Sequence, residues 1–255
     1  MQSTKYPNVN GFLAKFLNVL QKVLGTKFFG FYLYGSLATG DFDSESSDID
    51  FVVVTKSELN TNEIKNLKKM HRKLADKPKS WGSRVEGAYI PRGALRKYDP
   101  KYKQPFLSTT TPFGKRKLGR DWIINRYILR EKGIVIYGPN PKTLIDPVSK
   151  KELIDTVRNL LCKDWNKHVS GPKWMERRLY QAFTILTMCR ALYALEFGEI
   201  ISKQKAFVWA KANLDKKWRK LIDWAIEKRA DNKKDKRALV KTLEFLKFVV
   251  ASVCV

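Results

Sequence analysis

A chain of 255 residues with 44% hydrophobic content has enough apolar side chains for one large core or two modest ones. No apolar run reaches the roughly 20 residues of a membrane span, and the start, MQSTKYPNVNG, lacks the basic and apolar regions of a secretory leader, so a cytoplasmic protein with no membrane partner is expected. The formal net charge is +25, with 50 Lys and Arg against 25 Asp and Glu; spread along the chain, it marks either polyanionic partners, nucleic acid among them, or a Lys-rich background.

Residues 11–24 place Phe12, Leu13, Phe16, Leu17, Leu20, Val23 and Leu24 at helical spacing, with Lys15 and Lys22 opposite. That pattern suits a basic surface helix or one that covers the sheet starting directly afterwards, and Gly25 ends it. Phe28 to Tyr34 reads as a strand, broken at Gly35-Ser36. A loop rich in Asp and Ser follows, and then a second apolar run, Ile49 to Val54.

Asp48 and Asp50 stand at the start of that second strand. Side chains alternate along a strand, so the two carboxylates share one face, about 6.5–7 Å apart at Cα, while Ile49 points into a core. Like charges in a partly buried place repel and drive a proton onto one of them. A divalent cation removes the conflict, and hard oxygen ligands suit Mg²⁺ held together with substrate phosphates. The Gly35-Ser36 turn offers backbone N–H groups and a hydroxyl to a phosphate. Asp-x-Asp alone favours a merely solvated turn. The spacing of Gly35-Ser36, eleven residues and then Asp48-Ile49-Asp50-Phe51, flanked by strands, favours chemistry.

Further along, Thr61 to Lys77 reads as a polar helix with Ile64, Leu67 and Leu74 inward and an exposed, non-functional His71. Ser83 to Ile90 reads as a third strand carrying Glu86, which is either an edge residue or the third member of a carboxylate cluster. Arg92 to Gly119 is loop-like, rich in Pro, Gly and basic residues, and so functional or mobile. Asp121 to Lys132 is a helix with Asp121 at the N-cap position, and Ile134 to Tyr137 is a short strand. Pro139 to Pro147 is the best linker. Beyond it lie five helices, at residues 149–169, 173–198, 202–212, 215–230 and 235–253. Cys162, Cys189 and Cys254 are expected as reduced core residues.

The motif around Gly35-Ser36 and Asp48-Ile49-Asp50-Phe51 resembles the signature of the DNA polymerase β-type nucleotidyltransferases. Within that superfamily the chain looks most like the aminoglycoside (3'')(9)-adenylyltransferases, which inactivate streptomycin and spectinomycin. The likeness extends to Ala88–Pro100, to REKGIVIYGP, and to CRALYALEFGEIISKQKAFVWA, with Arg190, Gly198, Lys203, Ala206, Trp209 and Ala210 at matching spacing. It implies an α/β (α+β) nucleotidyltransferase domain with a mixed sheet at residues 1–145, followed by an all-α helical-bundle domain at residues 146–255, with the active site between them.

The resemblance further implies AMP transfer from ATP to a hydroxyl of a cationic antibiotic by a monomeric enzyme. Asp48, Asp50 and Glu86 would hold two Mg²⁺ ions, with Glu86 as general base. Gly35, Ser36, Ser47, Lys203 and Arg190 would bind the nucleotide. Trp174 and Glu176 would meet the acceptor, although the family's second acid, one turn on, is here Tyr180. The alternatives are the same chemistry on RNA or a protein hydroxyl, and a catalytically silent RNA-binding module.

Overall fold

Burial of Phe16, Phe31, Ile49, Phe51, Leu67 and Tyr89, all within about 1% of zero exposure, locates the core of the N-terminal half between a sheet and two helices. The computed structural model describes residues 3–76 and 80–254, and the chain forms two units, Met1–Pro147 and Val148–Val255.

In the first unit, α1 (Pro7–Leu24) starts with Pro7 in its first turn, where the missing N–H costs nothing. It therefore begins four residues before the predicted start. Its buried stripe, Val9, Leu13, Phe16, Leu17, Leu20 and Leu24, covers one sheet face. After α1 come β1 (Phe28–Leu33), a single-turn α2 (Gly35–Thr39) in place of the predicted turn, and β2 (Ile49–Thr55). Next is α3 (Thr61–Leu74), opened by a capping box: Asn60 Oδ1 accepts from the Glu63 N–H at 2.9 Å and Glu63 Oε2 from the Asn60 N–H at 2.7 Å. The predicted C-terminal residue of this helix, Lys77, lies outside the described residues.

β3 (Val85–Pro91), α4 (Arg92–Leu95), β4 (Lys103–Ser108), β5 (Thr111–Lys117), α5 (Trp122–Lys132) and β6 (Ile134–Tyr137) complete the unit. The sheet order is β5-β4-β3-β2-β1-β6, and it is mixed, because β2 and β3 are parallel and every other pair is antiparallel.

Two expectations are corrected here. Residues 92–119 are not a loop: they contain α4 and the hairpin β4–β5. Pro112, Gly114 and the Lys115-Arg116-Lys117 run hide β5, an edge strand, because edge strands tolerate proline and charge that central ones exclude, and Pro105 hides β4, beyond the residues that β4 pairs with β3. His71 is not exposed but 5% accessible, with Nε2 2.6 Å from the Tyr89 hydroxyl and its ring stacked on Phe51 and Phe113. Its sequence neighbours Arg72 and Lys73 lie on the other side of the helix, which is why the local charge misleads.

In the second unit, α6 (Lys150–Asn159) runs into a π-helical turn (Leu160–Asp164) and a 3-10 turn (Trp165–His168). α7 (Arg178–Phe197), with buried Gln181, Thr184, Ile185, Met188 and Cys189, is the hub against which α6, α8 (Lys203–Asn213), α9 (Arg219–Lys228) and α10 (Lys236–Val253) pack. Arg178 ties its start to Asp231 and Asp235, each at 2.9 Å. Cys162, in the π-helical turn, and Cys254, at the end of α10, form a disulfide with Cα atoms 5.5 Å apart, correcting the expectation of reduced cysteines. Cys189 is free and buried. No helix of the described residues is long and apolar enough to cross a membrane.

Candidate active site

In the parallel pair β2–β3 the register sets Asp50 opposite Glu86, with Ile49 opposite Val85 and Phe51 opposite Gly87. Alternation sends Ile49, Phe51 and Val53 under α1 and leaves Asp50 and Glu86 together on the other face. Asp48 stands one residue ahead of β2, at the rim of the same face. Two aspartates and a glutamate that are 36 and 38 residues apart in sequence are thereby brought to one place by strand pairing alone.

Gly35, at φ +60°, sits directly on the site. A Cβ there would lie 1.8 Å from Asp50 Oδ2, so only glycine lets α2 begin against that carboxylate. Ser36 stands in the first turn of α2, and its carbonyl accepts from the N–H groups of Gly40 and Asp41, both at 3.0 Å. Ser47 spends hydrogen-bonding capacity on the Asp/Ser loop, its Oγ accepting from the Asp43 N–H at 3.0 Å.

The electrostatics are strained in a single direction. Burial, then the Asp48 charge, then that of Asp121, push Glu86 up to about 7. Burial raises Asp48, opposed by the Arg84 charge and by a hydrogen bond from Thr109 Oγ1 to Asp48 Oδ2 at 3.5 Å. The Tyr34 hydroxyl is driven well above its ordinary range by burial and by Asp50, Glu86 and Asp121. A carboxylate near neutrality in a water-poor site is ready to take a proton at physiological pH.

Four participants escape the sequence reading. Asp121 occupies the N-cap position of α5 but makes no side-chain cap bond, and its charge acts on Glu86 and Tyr34 instead. Arg84 clamps the loop by donating to the carbonyls of Ser44, at 2.8 Å, and Ser47. Thr109 comes from the tip of the unrecognised hairpin. Tyr34 reads from sequence as the last residue of a strand, with nothing to mark it.

No three described His, Cys, Asp or Glu side chains are gathered tightly enough to grip one ion. The donor set nonetheless fits a hard cation: all donors are carboxylate oxygens, and their mutual repulsion, visible in the raised Glu86 and Asp48, is what a dication relieves.

The remaining predicted residues belong to the second unit. Arg190 is half-buried in mid-α7. Lys203 opens α8, its ammonium 5.8 Å from the centre of the Phe183 ring. Trp174 lies in a 3-10 turn (Lys173–Glu176) within an aromatic group, edge-on to His168 at 5.3 Å and to Tyr180 at 5.8 Å. Glu176 faces solvent and pairs with Lys234 at 2.6 Å, which holds its carboxyl below the usual range.

Residues 14–91 match the nucleotidyltransferase domain family, and residues 143–252 match the aminoglycoside adenylyltransferase C-terminal domain. No curated protein sequence matches the chain. Among solved structures it is similar to the crystal structure of spectinomycin adenyltransferase AAD(9) from Enterococcus faecialis with ATP and spectinomycin. The TM-score is 0.73 at 19% identity, over 96% of this chain and 99% of that one.

Proposed function

We propose that this chain, whose two halves match a nucleotidyltransferase domain and an aminoglycoside adenylyltransferase C-terminal domain, is a nucleotidyltransferase of that type and transfers AMP from ATP to a hydroxyl of an aminoglycoside- or spectinomycin-type antibiotic. The observation that carries the reading is the register pair Asp50–Glu86 with Asp48 beside it, in which one acid is raised to about 7. The matched structure of AAD(9) contains ATP and spectinomycin, which supports the donor and the acceptor class.

In this reading Glu86 takes the proton of the acceptor hydroxyl. The freed oxygen bonds to the α-phosphorus, and the bond from that phosphorus to the bridging oxygen breaks to release pyrophosphate. Mg²⁺, held by Asp48, Asp50 and Glu86, would supply charge neutralisation to the triphosphate and to the leaving group. Gly35 and Ser36 would orient the phosphates, with Ser47 steadying the loop, and Lys203 and Arg190 would contribute positive charge to nucleotide binding. Positioning of this kind is the main demand of phosphoryl chemistry. Trp174 presents an apolar face to the acceptor. Glu176, in an exposed and solvent-screened pair with Lys234, would exchange that partner for a drug ammonium.

Pyrophosphate release from ATP with Mg²⁺, scanned over spectinomycin, streptomycin, other aminoglycosides and mixed tRNA, tests the proposal. Release stimulated by an antibiotic and lost by roughly a thousandfold in Asp48→Asn/Asp50→Asn, about 4 kcal/mol of transition-state stabilisation, is the expected outcome. Release stimulated by tRNA alone removes the antibiotic as acceptor.

A further inference from the structure

The second unit carries a groove that no step of nucleotidyl transfer uses. α9 and α10 each pack on α7 but hardly on each other, and between them opens a cavity of about 910 Å³. Its chemistry is uneven. One exposed face of α10 contributes Arg237, Lys241 and Lys247, and the α9 side adds Lys217 and Lys220.

Two acids, Asp235 and Glu244, also line the cavity. Asp235 is already engaged by Arg178 and by the start of α10, its carboxylate accepting from the Ala238 N–H at 2.9 Å. Among the described residues Lys220, Arg237, Lys241 and Lys247 form no ion pair. The groove is therefore strongly cationic and its cations are unspent.

Aromatic rings alternate with these charges. Phe248, 37% exposed, leans on Trp218 with ring centres 5.4 Å apart. Trp224 lines the α9 wall, half-buried. Trp218 is only 8% exposed, and its indole N–H has no hydrogen-bond partner. A buried indole usually finds an acceptor; here the groove wall holds a donor still to be satisfied. Lys217 stands 5.0 Å over the same ring.

Cations that track a backbone, interleaved with rings on which flat groups stack, are the requirements for a single-stranded nucleic acid. A lipid surface would call for exposed aliphatic residues and an acidic peptide would leave the aromatic faces unused, so neither explains the full lining. We propose that the α9–α10 groove binds a single-stranded RNA segment, its bases on Trp224 and Phe248 and its phosphates on the α10 cations. The groove shares no residue with the acidic face of β2–β3, and it gives part of the +25 charge a specific task.

Fluorescein-labelled oligouridylate of about 12 nucleotides, titrated into the whole protein, provides the probe, within the site sizes such grooves span. Binding at low salt with quenching of tryptophan emission is expected. In Arg237→Gln/Lys241→Gln/Lys247→Gln the affinity falls at least about tenfold and the slope of log affinity against log salt becomes shallower by roughly 2, about 0.7 per phosphate lost. Trp224→Leu, which keeps apolar packing, weakens binding by roughly tenfold without changing the salt slope.

A control removes equal charge from another basic concavity, on α3, as Lys65→Gln/Lys69→Gln/Arg72→Gln. An equal loss there overturns the proposal in favour of diffuse attraction. Indifference to Trp224→Leu also overturns it, leaving a site for any polyanion, as does the absence of binding or quenching by the parent at low salt.

Discussion

The β2–β3 face and the α9–α10 groove concentrate charge by opposite means. On the sheet, acids are gathered by strand register into a place with little water, and their protonation is displaced: Glu86 to about 7, Asp48 upward, Tyr34 far upward. In the groove, cations stand on exposed helix faces. The first arrangement burdens the fold and must be compensated elsewhere; the second is nearly free and is added residue by residue. A functional site inside a core is thus legible as a stability cost, while a site on a surface is legible only as a pattern.

That contrast is open to attack first through His71, a titratable group buried in the sheet unit away from the acids. Burial lowers its imidazole to about 3. Its folded value lies below the unfolded 6.5, so the unfolded chain binds the extra proton. Stability is fully present above 6.5 and is lost as pH falls toward 3, by about 1.4 kcal/mol per unit and approaching about 4–5 kcal/mol as an upper bound. Urea midpoints at pH 7 and pH 4 should separate widely in the parent and much less in His71→Gln. Equal separation would mean that the imidazole is not a burden on the core.

The helical unit is stapled instead by Cys162–Cys254, which closes a span of 92 residues. Reduction, or Cys254→Ser, is expected to cost about 2–4 kcal/mol, seen as a lower melting temperature with reductant. A melting temperature indifferent to reductant would show that the helices hold without the bond.

Glu86→Gln sharpens the comparison further. A carboxyl raised to about 7 favours the folded state while protonated, and that contribution is lost as pH rises through 4.5 to 7. The amide should therefore stabilise the ligand-free protein by about 2 kcal/mol at pH 8 and by little at pH 5, even as turnover falls by about 10²–10⁴. Destabilisation at pH 8 would place Glu86 among the structural acids. The smallest effect belongs to the groove: Arg237→Gln/Lys241→Gln/Lys247→Gln should leave the melting free energy within about 0.5 kcal/mol. A larger loss would show that those cations hold the helices.

How much of this was readable in the linear chain depends on whether a residue's partners are local. β1, β2 and β6 show as apolar runs bounded by Gly and Asp, and the spacing from Gly35-Ser36 to Asp48 and Asp50 marks the acidic face before any strand is paired. The α/β half followed by an all-helical half is equally plain, because Pro139, Pro141 and Pro147 interrupt the pattern where the periodicity changes. The β4–β5 hairpin is invisible because its edge position permits Pro112 and the basic run, erasing the usual strand composition. His71 misleads because its neighbours on the chain are Arg72 and Lys73, whereas those in space are Phe51, Tyr89 and Phe113. Asp121 is read by the local rule for helix starts, yet its effect is felt across the sheet face by Glu86. Cys162 and Cys254 are 92 residues apart in sequence, and only the packed helical unit brings them together.

The parallel pairing of β2 with β3 has one more consequence, for the order in which the molecule is made. Asp48 and Asp50 leave the ribosome well before Glu86, and the crossover through α3 must close before the two strands can align. A parallel ladder cannot be zipped from a tight turn, so its register is set late, by long-range contacts. A slip of one residue would send Asp50 and Glu86 to opposite faces, exchanging an acid for an apolar neighbour on each side. Half-assembled chains should therefore be inert, not weakly active, and a population that folds slowly would show a lag in activity behind the appearance of helical signal.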